Sequence, residues 1–393
     1  MDRRTFLLGT SALASQLLIG CGDNNQAKLN VQLLKGSIPG QVVNQFQKDL
    51  QSKAQLKFAP VAQLQDLFEQ LQTWQGKGKA NEKKGWGINL PLGQSQKPAL
   101  ADLVTLADYR LKEAIEQKLI QPLEGLKLDY WPALPQRFQE LVRRNDQGDP
   151  DPQGKIWAVP YRWGESVIVY RRDKLKDLKD PPTDWADLWN PDLRFRISSL
   201  KEPRVSLLDE PREVIGLVLK KLGKSYNTEN LDQVPDLEKE LRALNKQVKF
   251  YASNRYLEPL IMGDTWLAVA WSSDVIPILT RYPQLAAVVP QSGTAMWADL
   301  WVLPKSEKEE KNRLSYKWIN FCLKSEITKQ IALITKTKSP ISTNIATSDI
   351  LEPLRNLLLS NSEVFNKNEF LLPLSKSTTQ LYESLFRTVK SEA

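Results

Sequence analysis

Short apolar runs alternate with amphipathic segments along most of the chain. Apolar residues recur at helical spacing between Val61 and Trp74, and a strand-like run at 101–105 then leads into a helical pattern at 111–117. This alternation predicts an α/β architecture with mixed or parallel sheets. Residues 75–98 are rich in glycine, lysine and asparagine and have no periodicity, so we expect a surface loop there.

The second half of the chain continues the same alternation. Residues 166–170 form an apolar run of high β-propensity, which we interpret as a strand that crosses between two domains. We predict helices at 185–189, from Pro211 onward and at 229–244, and strands at 195–198, 248–251, 266–271, 286–289 and 296–303. Because 393 residues exceed what one hydrophobic core usually holds, the chain is expected to form two domains.

The N-terminal residues have the order of an export signal. Arg3 and Arg4 precede an apolar stretch that is too short to span a bilayer, as in a twin-arginine signal peptide covering residues 1–20. The cleavage pattern before Cys21 is typical of a bacterial lipoprotein, so we expect lipid attachment at Cys21 and a short tether over residues 21–28. The alternative is that Cys21 is a chance thiol in a leader that is cleaved elsewhere. The mature domain is expected in the periplasm, anchored to the membrane.

The composition narrows the classes of function. Histidine is absent, which removes the commonest general base, His-based catalytic triads and His-ligated zinc sites. The formal charge of +8 comes from lysines and arginines spread along the chain, and no basic stripe indicates nucleic-acid binding. Cys322 lies in an apolar run and is expected to be a buried structural thiol. We expect no metal and no organic cofactor.

Six motifs follow one another from residue 159 onward. They are VPYRWG at 159–164, DWADLWNP at 184–191, DEPREV at 209–214, AWSSD at 270–274, WADLWVLP at 297–304 and WINF at 318–321. With this ordered set, the chain from about 29 to 344 resembles the spermidine/putrescine-binding receptors of polyamine ABC importers. The resemblance implies a type II periplasmic binding fold, in which two α/β lobes are joined by crossover strands and enclose a ligand cleft. Lobe 1 would comprise 29–167 and 300–345, and lobe 2 would comprise 168–299 and 346–393.

The resemblance also implies a set of ligand-binding residues. A linear diamine offers ammonium ends and methylene links, which call for carboxylates and aromatic faces. Glu213 could equally be an acid favoured by the dipole of its helix, and both tryptophans of the set could be core residues. Asp299 interrupts an apolar strand, and a buried acid there needs a cationic partner. The implied residues are Glu213, Trp271, Trp297 and Asp299, with Tyr109 and Glu210 at the cleft.

Three departures from the family pattern concern the cleft. Residues 33–39 lack the two aromatics that the family places after its first strand, and they contain Lys35, which would repel a polyamine if it pointed inward. Glu210 stands where the family more often has aspartate. Ala107, beside Asp108, stands where the family commonly has serine. The fold expectation is unaffected, but these departures bear on the identity of the ligand.

The sequence therefore predicts a receptor without catalytic activity that binds a polyamine, closes around it and delivers it to the permease subunits of an ABC importer. One alternative is a receptor for a different small amine, or for a zwitterion whose carboxylate meets Lys35. A second alternative is an exported scaffold that has kept the fold but not the transport function. A third is an enzyme with Glu213 and Asp299 as paired carboxylates, as in glycoside hydrolysis.

Overall fold

The structure is a computed structural model. It describes residues 27–51, 53–77, 100–124, 127–176, 180–189, 203–306, 312–341, 345–359 and 361–392. The expected signal peptide, Cys21 and most of the tether lie outside these ranges. The predicted strand at 195–198 and residues 78–98 of the predicted loop also lie outside them.

Strands and helices alternate through the described residues, as the sequence predicts for an α/β fold. The strands are β1 Ala27–Leu34, β2 Ala54–Val61, β3 Leu103–Ala107, β4 Ile120–Gln121, β5 Arg143–Arg144, β6 Lys155–Ile156, β7 Val159–Arg171, β8 Val205–Leu207, β9 Val248–Tyr251, β10 Leu267–Trp271, β11 Leu285–Val288, β12 Ala295–Pro304 and β13 Glu369–Phe370. The α-helices are α1 Gly40–Asp49, α2 Leu64–Trp74, α3 Leu111–Glu116, α4 Gln136–Val142, α5 Arg172–Leu175, α6 Pro211–Lys221, α7 Leu237–Asn245, α8 Glu258–Met262, α9 Ser272–Leu279, α10 Asn312–Cys322, α11 Ser325–Thr335, α12 Arg355–Leu358, α13 Ser362–Lys367 and α14 Lys376–Lys390.

One sheet path runs through both halves of the molecule in the order β2-β1-β3-β12-β7-β10-β8-β9, and β11 pairs with β7 while β4 and β13 pair with β12. The outer pairs β1–β2, β1–β3, β8–β9 and β8–β10 are parallel, whereas β12 is antiparallel to both β3 and β7. Parallel pairs flanked by helices on each side of a central antiparallel pair make the fold α/β with a mixed sheet.

The long strand β7 connects the two halves. Its first part pairs with β12 as far as Glu165, and from Ser166 onward it pairs with β10 and β11. The register between β7 and β12 shifts between Asp299 and Leu300, so that Tyr161 is an extra residue opposite this step. Pro160 lies beside the irregularity, where a missing N–H is tolerated. The crossover strand expected at 166–170 is the second part of β7.

The apolar cores are divided between the two halves that β7 connects. One cluster contains the buried side of β8, β10 and α6, together with α12 and α14 near the C-terminus. Two further clusters lie on the other half, one around β1, α10 and α11 and one around α2, α3 and α4. In β12, Ala295 belongs to the first of these clusters, whereas Met296 and Ala298 pack in the cluster around α2. Near its N-terminal end, β12 therefore passes from the apolar core of one half of the molecule to the apolar core of the other half.

A buried carboxylate links the middle of β7 to distant parts of the chain. Glu165 is fully buried and forms an ion pair with Lys338, which follows α11. Asn368, which precedes β13, donates its side-chain N–H to the second oxygen of Glu165 at 3.1 Å. The side-chain oxygen of Asn368 accepts the backbone N–H of Thr294 at 3.0 Å, just before β12. The carboxylate of Glu165 thus connects β7 to the segment after α11 and to the segment before β13. Through Asn368 it is also connected to the start of β12.

Most of the predicted elements agree with the structure, with two corrections. The predicted helix at 229–244 is wrong in its first half, since a 3-10 turn at Leu231–Gln233 precedes α7, which begins at Leu237. Pro235 explains this, because the residue before a proline is disfavoured in the helical region, and Val234 has φ −126° and ψ 71°. The helix at 185–189 is a 3-10 helix. Cys322 is buried as expected, with 1% of its surface exposed.

Within the described ranges, no helix combines the length and the apolar character that a membrane span requires.

Candidate functional site

Cross-strand pairing gathers the predicted site residues on one face of the sheet. Asp299 lies opposite Arg162, and Trp297 lies opposite Gly164. On the other side of β7, Trp271 lies opposite Ser166. Directly paired residues project to the same face, and so do residues two apart along a strand. Positions 162, 164 and 166 of β7 therefore share a face with all three predicted residues.

Glu213 is positioned by the first turn of α6. Pro211 begins the helix, where its fixed φ suits the first position, and Glu213 lies in the same turn. Its two carboxylate oxygens accept hydrogen bonds from the hydroxyl of Ser166 at 2.9 Å and from the indole N–H of Trp271 at 3.2 Å. Burial raises the pKa of Glu213, and these two hydrogen bonds oppose that increase. The side chain of Glu213 thus faces the sheet. In addition to its favourable interaction with the helix dipole, it forms hydrogen bonds with residues of β7 and β10.

The two tryptophans stand on either side of β7. Trp271 is half-buried and meets Tyr256 edge to face, with 6.0 Å between the ring centroids. Trp297 packs directly over Gly164. A Cβ at Gly164 would lie closer than 3.0 Å to two atoms of the indole ring and 2.5 Å from the hydroxyl of Ser272. The absence of a side chain at Gly164 is what allows Trp297 to lie flat against the strand.

Asp299 is paired with an arginine of the neighbouring strand. The Nε of Arg162 donates to Oδ2 of Asp299 at 2.5 Å, and the two residues are only 7% and 1% exposed. Burial raises the pKa of Asp299, while the charge and hydrogen bond of Arg162 oppose it. The sequence indicated that a buried acid here needs a cation, and the structure supplies that cation from within the chain.

Asp108 is a second buried acid at this end of the site. It follows Ala107, which lies opposite Asp299 in the β3–β12 pair. Burial raises the pKa of Asp108 to about 7, and the nearby charge of Asp299 adds to the increase, while backbone N–H groups of Ala298 and Tyr109 lower it. Burial thus disfavours the charged form of Asp108.

Tyr109 and Glu210 belong to the two different halves of the molecule. Tyr109 is 59% exposed in the 3-10 turn after β3, and Glu210 is exposed at the N-cap of α6. Desolvation raises the pKa of Tyr109, and the charge of Glu210 contributes in the same direction, so the two groups lie within electrostatic reach. Lys35, whose orientation the sequence left open, is exposed at the end of β1.

The structure thus brings Trp271, Glu213, Trp297 and Asp299 to one face. Sequence reasoning missed Arg162 and Ser166, which bind the two principal carboxylates, and gave Asp108 no role. Arg162 lies inside the VPYRWG motif, but only the strand register shows which side chain it meets. Among the described residues, no cluster of three or more acidic, cysteine or histidine side chains has the geometry to bind a metal ion. The site can offer carboxylates, a guanidinium and aromatic faces to an organic ligand.

Sequence comparison identifies the family of the chain and several relatives. The profile of the family described as "Bacterial extracellular solute-binding protein" matches residues 99–364. The spermidine/putrescine-binding periplasmic protein of Salmonella typhimurium is 27% identical over 303 residues, which cover 76% of this chain and 80% of that protein. The putrescine-binding periplasmic protein PotF of Escherichia coli is 28% identical over 244 residues, which cover 59% of this chain and 62% of PotF.

Solved structures show the same fold. The spermidine/putrescine ABC transporter substrate-binding protein PotD from Streptococcus pneumoniae superposes with a TM-score of 0.72 at 22% identity, covering 93% of this chain and 99% of that one. A lipoprotein of Treponema pallidum superposes with a TM-score of 0.62 at 18% identity, covering 93% and 99%. The two-lobed type II periplasmic binding fold and the resemblance to polyamine receptors are both confirmed. Since the family profile spans more than half of the sequence, the chain belongs to the bacterial extracellular solute-binding protein family.

Proposed function

We propose that this chain is the substrate-binding component of an ABC importer and that it binds a small aliphatic amine of the polyamine class. The observation that carries the proposal is Glu213, a buried carboxylate on the shared face of the sheet, held by Ser166 and Trp271. The relatives named above bind spermidine or putrescine. The chain acts by binding, without a catalytic step.

The environment of Glu213 suits a primary ammonium. Burial disfavours the charged carboxylate, and an ammonium placed against it would restore the ionised form. A hydrogen bond to a charged group is worth about 1.5 to 3 kcal/mol, and a cation–π contact with Trp271 or Trp297 about 0.5 to 2 kcal/mol. A few such contacts approach the roughly 8 kcal/mol that corresponds to micromolar affinity.

Closure of two lobes would couple binding to delivery. We propose lobe 1 as residues 29–167 with 300–345 and lobe 2 as 168–299 with 346–393, so that two of the three boundaries fall within β7 and β12. A ligand shifts the equilibrium toward the closed form only if it binds that form more tightly. Tyr109 and Glu210, one on each side, are placed to gain contacts on closure. The closed receptor would then dock on the permease.

Export and anchoring complete the proposal. Residues 1–20 would direct twin-arginine export, and Cys21 would carry the lipid that anchors the mature protein on the periplasmic side. The order of charged, apolar and small residues supports this assignment. Metabolic labelling with a radioactive fatty acid tests it: the wild-type chain should be labelled and Cys21→Ser should not, whereas equal labelling of both would exclude lipid attachment at Cys21.

Calorimetric titration of the mature domain, beginning after Cys21, tests the proposed function. Putrescine and spermidine should bind, and a neutral diol of similar length should not. Glu213→Gln should weaken amine binding by about tenfold or more, because one charge-assisted hydrogen bond is lost. Glu352→Gln, which changes an exposed glutamate outside the site, is the matched control and should bind as the wild type does. Failure of every amine to bind a folded wild-type domain would refute the proposal.

A further inference from the structure

Arg162 places a positively charged group at one end of the site. The guanidinium is built into β7, is 7% exposed and bonds Asp299 through Nε. The charge of Asp299 is therefore already neutralised from within the chain before any ligand arrives.

The acid that remains at this end is Asp108. Burial raises the pKa of Asp108 to about 7, which disfavours its charged form. Asp299 and Arg162 form an ion pair, so their opposite charges offset each other. The opposite end of the face, at Glu213, has two neutral hydrogen-bond donors, and Glu213 forms no ion pair within the described part of the chain. The two ends of the site therefore differ in charge.

An unused donor lies next to the guanidinium. The indole Nε1 of Trp297 is buried and has no hydrogen-bond partner among the described residues. The centre of the Trp297 ring is 6.0 Å from Cζ of Arg162. A buried donor without an acceptor costs free energy, and a carbonyl or carboxylate oxygen placed here would satisfy it. An ammonium group, which can only donate, cannot.

The spacing of the two ends fits one elongated ligand. Arg162 and Ser166 are four positions apart on the same face of β7, a span of about 13 Å at roughly 3.3 Å per residue. Ser166 holds Glu213, and Trp297 lies over Gly164 between them. The side chains at both ends shorten the span available to a ligand. The carboxylate of Glu213, the ring of Trp297 and the guanidinium of Arg162 thus follow one another along one face of β7.

We infer that Arg162 determines specificity and that the ligand has a primary ammonium at one end, held by Glu213, and a carbonyl or carboxylate oxygen at the other, held by Arg162 and Trp297. The inference rests on the proposed function, because it takes this face as the ligand site, and it narrows the amine class. The chemistry is shared by ω-amino acids and by diamines acylated at one end. A diamine with two free ends would place an ammonium, which can only donate, against the N–H groups of Arg162 and Trp297, which also only donate.

Binding measurements on matched ligands test this inference with the mature domain. The diamines are 1,4-diaminobutane and 1,6-diaminohexane, the ω-amino acids are 4-aminobutanoate and 6-aminohexanoate, and N-acetylputrescine has a neutral acceptor end. For at least one chain length, the wild type should bind the ligand with the acceptor end about tenfold more tightly than the diamine. Preference for the ω-amino acid over N-acetylputrescine would identify the acceptor as a carboxylate, and the reverse would identify it as an amide.

Variants separate the role of Arg162 from general damage. Arg162→Met should abolish the preference for an acceptor end, and Arg162→Lys should keep most of it. If Arg162→Met does not fold because Asp299 is left buried alone, Arg162→Met/Asp299→Asn removes both charges and should bind the two ligand types with similar affinity. Arg255→Met is the matched control, since Arg255 is an exposed arginine paired with Glu258 at 2.9 Å, and it should bind as the wild type does.

Each outcome bears on the inference. A wild type that prefers diamines of both lengths, or a preference that survives in the folded Arg162 variants without a positive charge, would overturn the assignment of Arg162 while leaving the amine receptor intact. The absence of binding for every amine, with or without an acceptor end, would refute the proposed function and the inference with it. Tight binding of acceptor-ended amines that Glu213→Gln abolishes would support both.

Discussion

Replacing Gly164 by alanine should destabilise the protein and disturb the site at the same time. The added methyl group would lie closer than 3.0 Å to atoms of the Trp297 ring and 2.5 Å from the hydroxyl of Ser272. Neither neighbour is free to move, because Trp297 lies on a central strand and Ser272 accepts the backbone N–H of Glu165 at 3.1 Å. The methyl group must therefore displace one of them.

The size of the effect follows from these two contacts. Forcing one extra methyl group into a packed interior typically costs about 1 to 3 kcal/mol, and losing the hydrogen bond to Ser272 adds about 1 kcal/mol. We expect the free energy of unfolding to fall by about 2 to 4 kcal/mol. A shifted Trp297 should also weaken ligand binding in any Gly164→Ala protein that folds.

Equilibrium unfolding in urea, followed by tryptophan fluorescence, measures the change in stability. Gly40→Ala is the matched control, since nothing lies within 4 Å of a Cβ at Gly40 and its φ is not positive. The control should be neutral or more stable by up to about 1 kcal/mol. Equal stability of Gly164→Ala and the wild type, with unchanged ligand affinity, would show that the packing of Trp297 against β7 does not require glycine.

Three further predictions concern buried groups. Lys338→Met should lower the free energy of unfolding by about 3 to 5 kcal/mol, because it leaves Glu165 as an uncompensated buried charge, and urea unfolding should show recovery in Lys338→Met/Glu165→Gln. Asp108 has a folded pKa of about 7 against an ordinary value of 3.8, so its protonated form favours folding and its contribution to stability is lost as the pH rises from 3.8 to about 7. Unfolding measured across that range should show the loss in the wild type relative to Asp108→Asn, and parallel curves would contradict the raised pKa. Cys322 should react with a thiol reagent only after unfolding, since 1% of it is exposed; rapid labelling of the native domain would contradict its burial.

The sequence predicted the strands and the polar residues within them, because both depend on local pattern. Trp297 and Asp299 stand two positions apart in an apolar run, so their shared face could be read from the period of a strand. Pro211 indicated the start of a helix and therefore that Glu213 lies in its first turn. Pro235 carried a local signal that a helix could not continue through 229–244, and that signal was overlooked.

The partners of these residues depend on strand register, which no local pattern specifies. Slipping β7 by one residue against β12 would turn Arg162 away from Asp299 and toward the opposite face. The irregularity between Asp299 and Leu300 changes the register at this very point. The same limit applies to Ser166, whose contact with Glu213 joins residues 47 positions apart. The partners of Asp299 and Glu213 could therefore be identified only from the folded chain.

The contacts of Glu165 set the order in which this protein can be completed. Lys338 and Asn368, which satisfy its carboxylate, are synthesised long after β7. Until both have left the ribosome, a nascent chain that packs β7 into its sheet would bury an unpaired charge, which is strongly unfavourable. The strand β7 can therefore reach its final packing only after segments that lie 173 and 203 residues further along the chain have been synthesised.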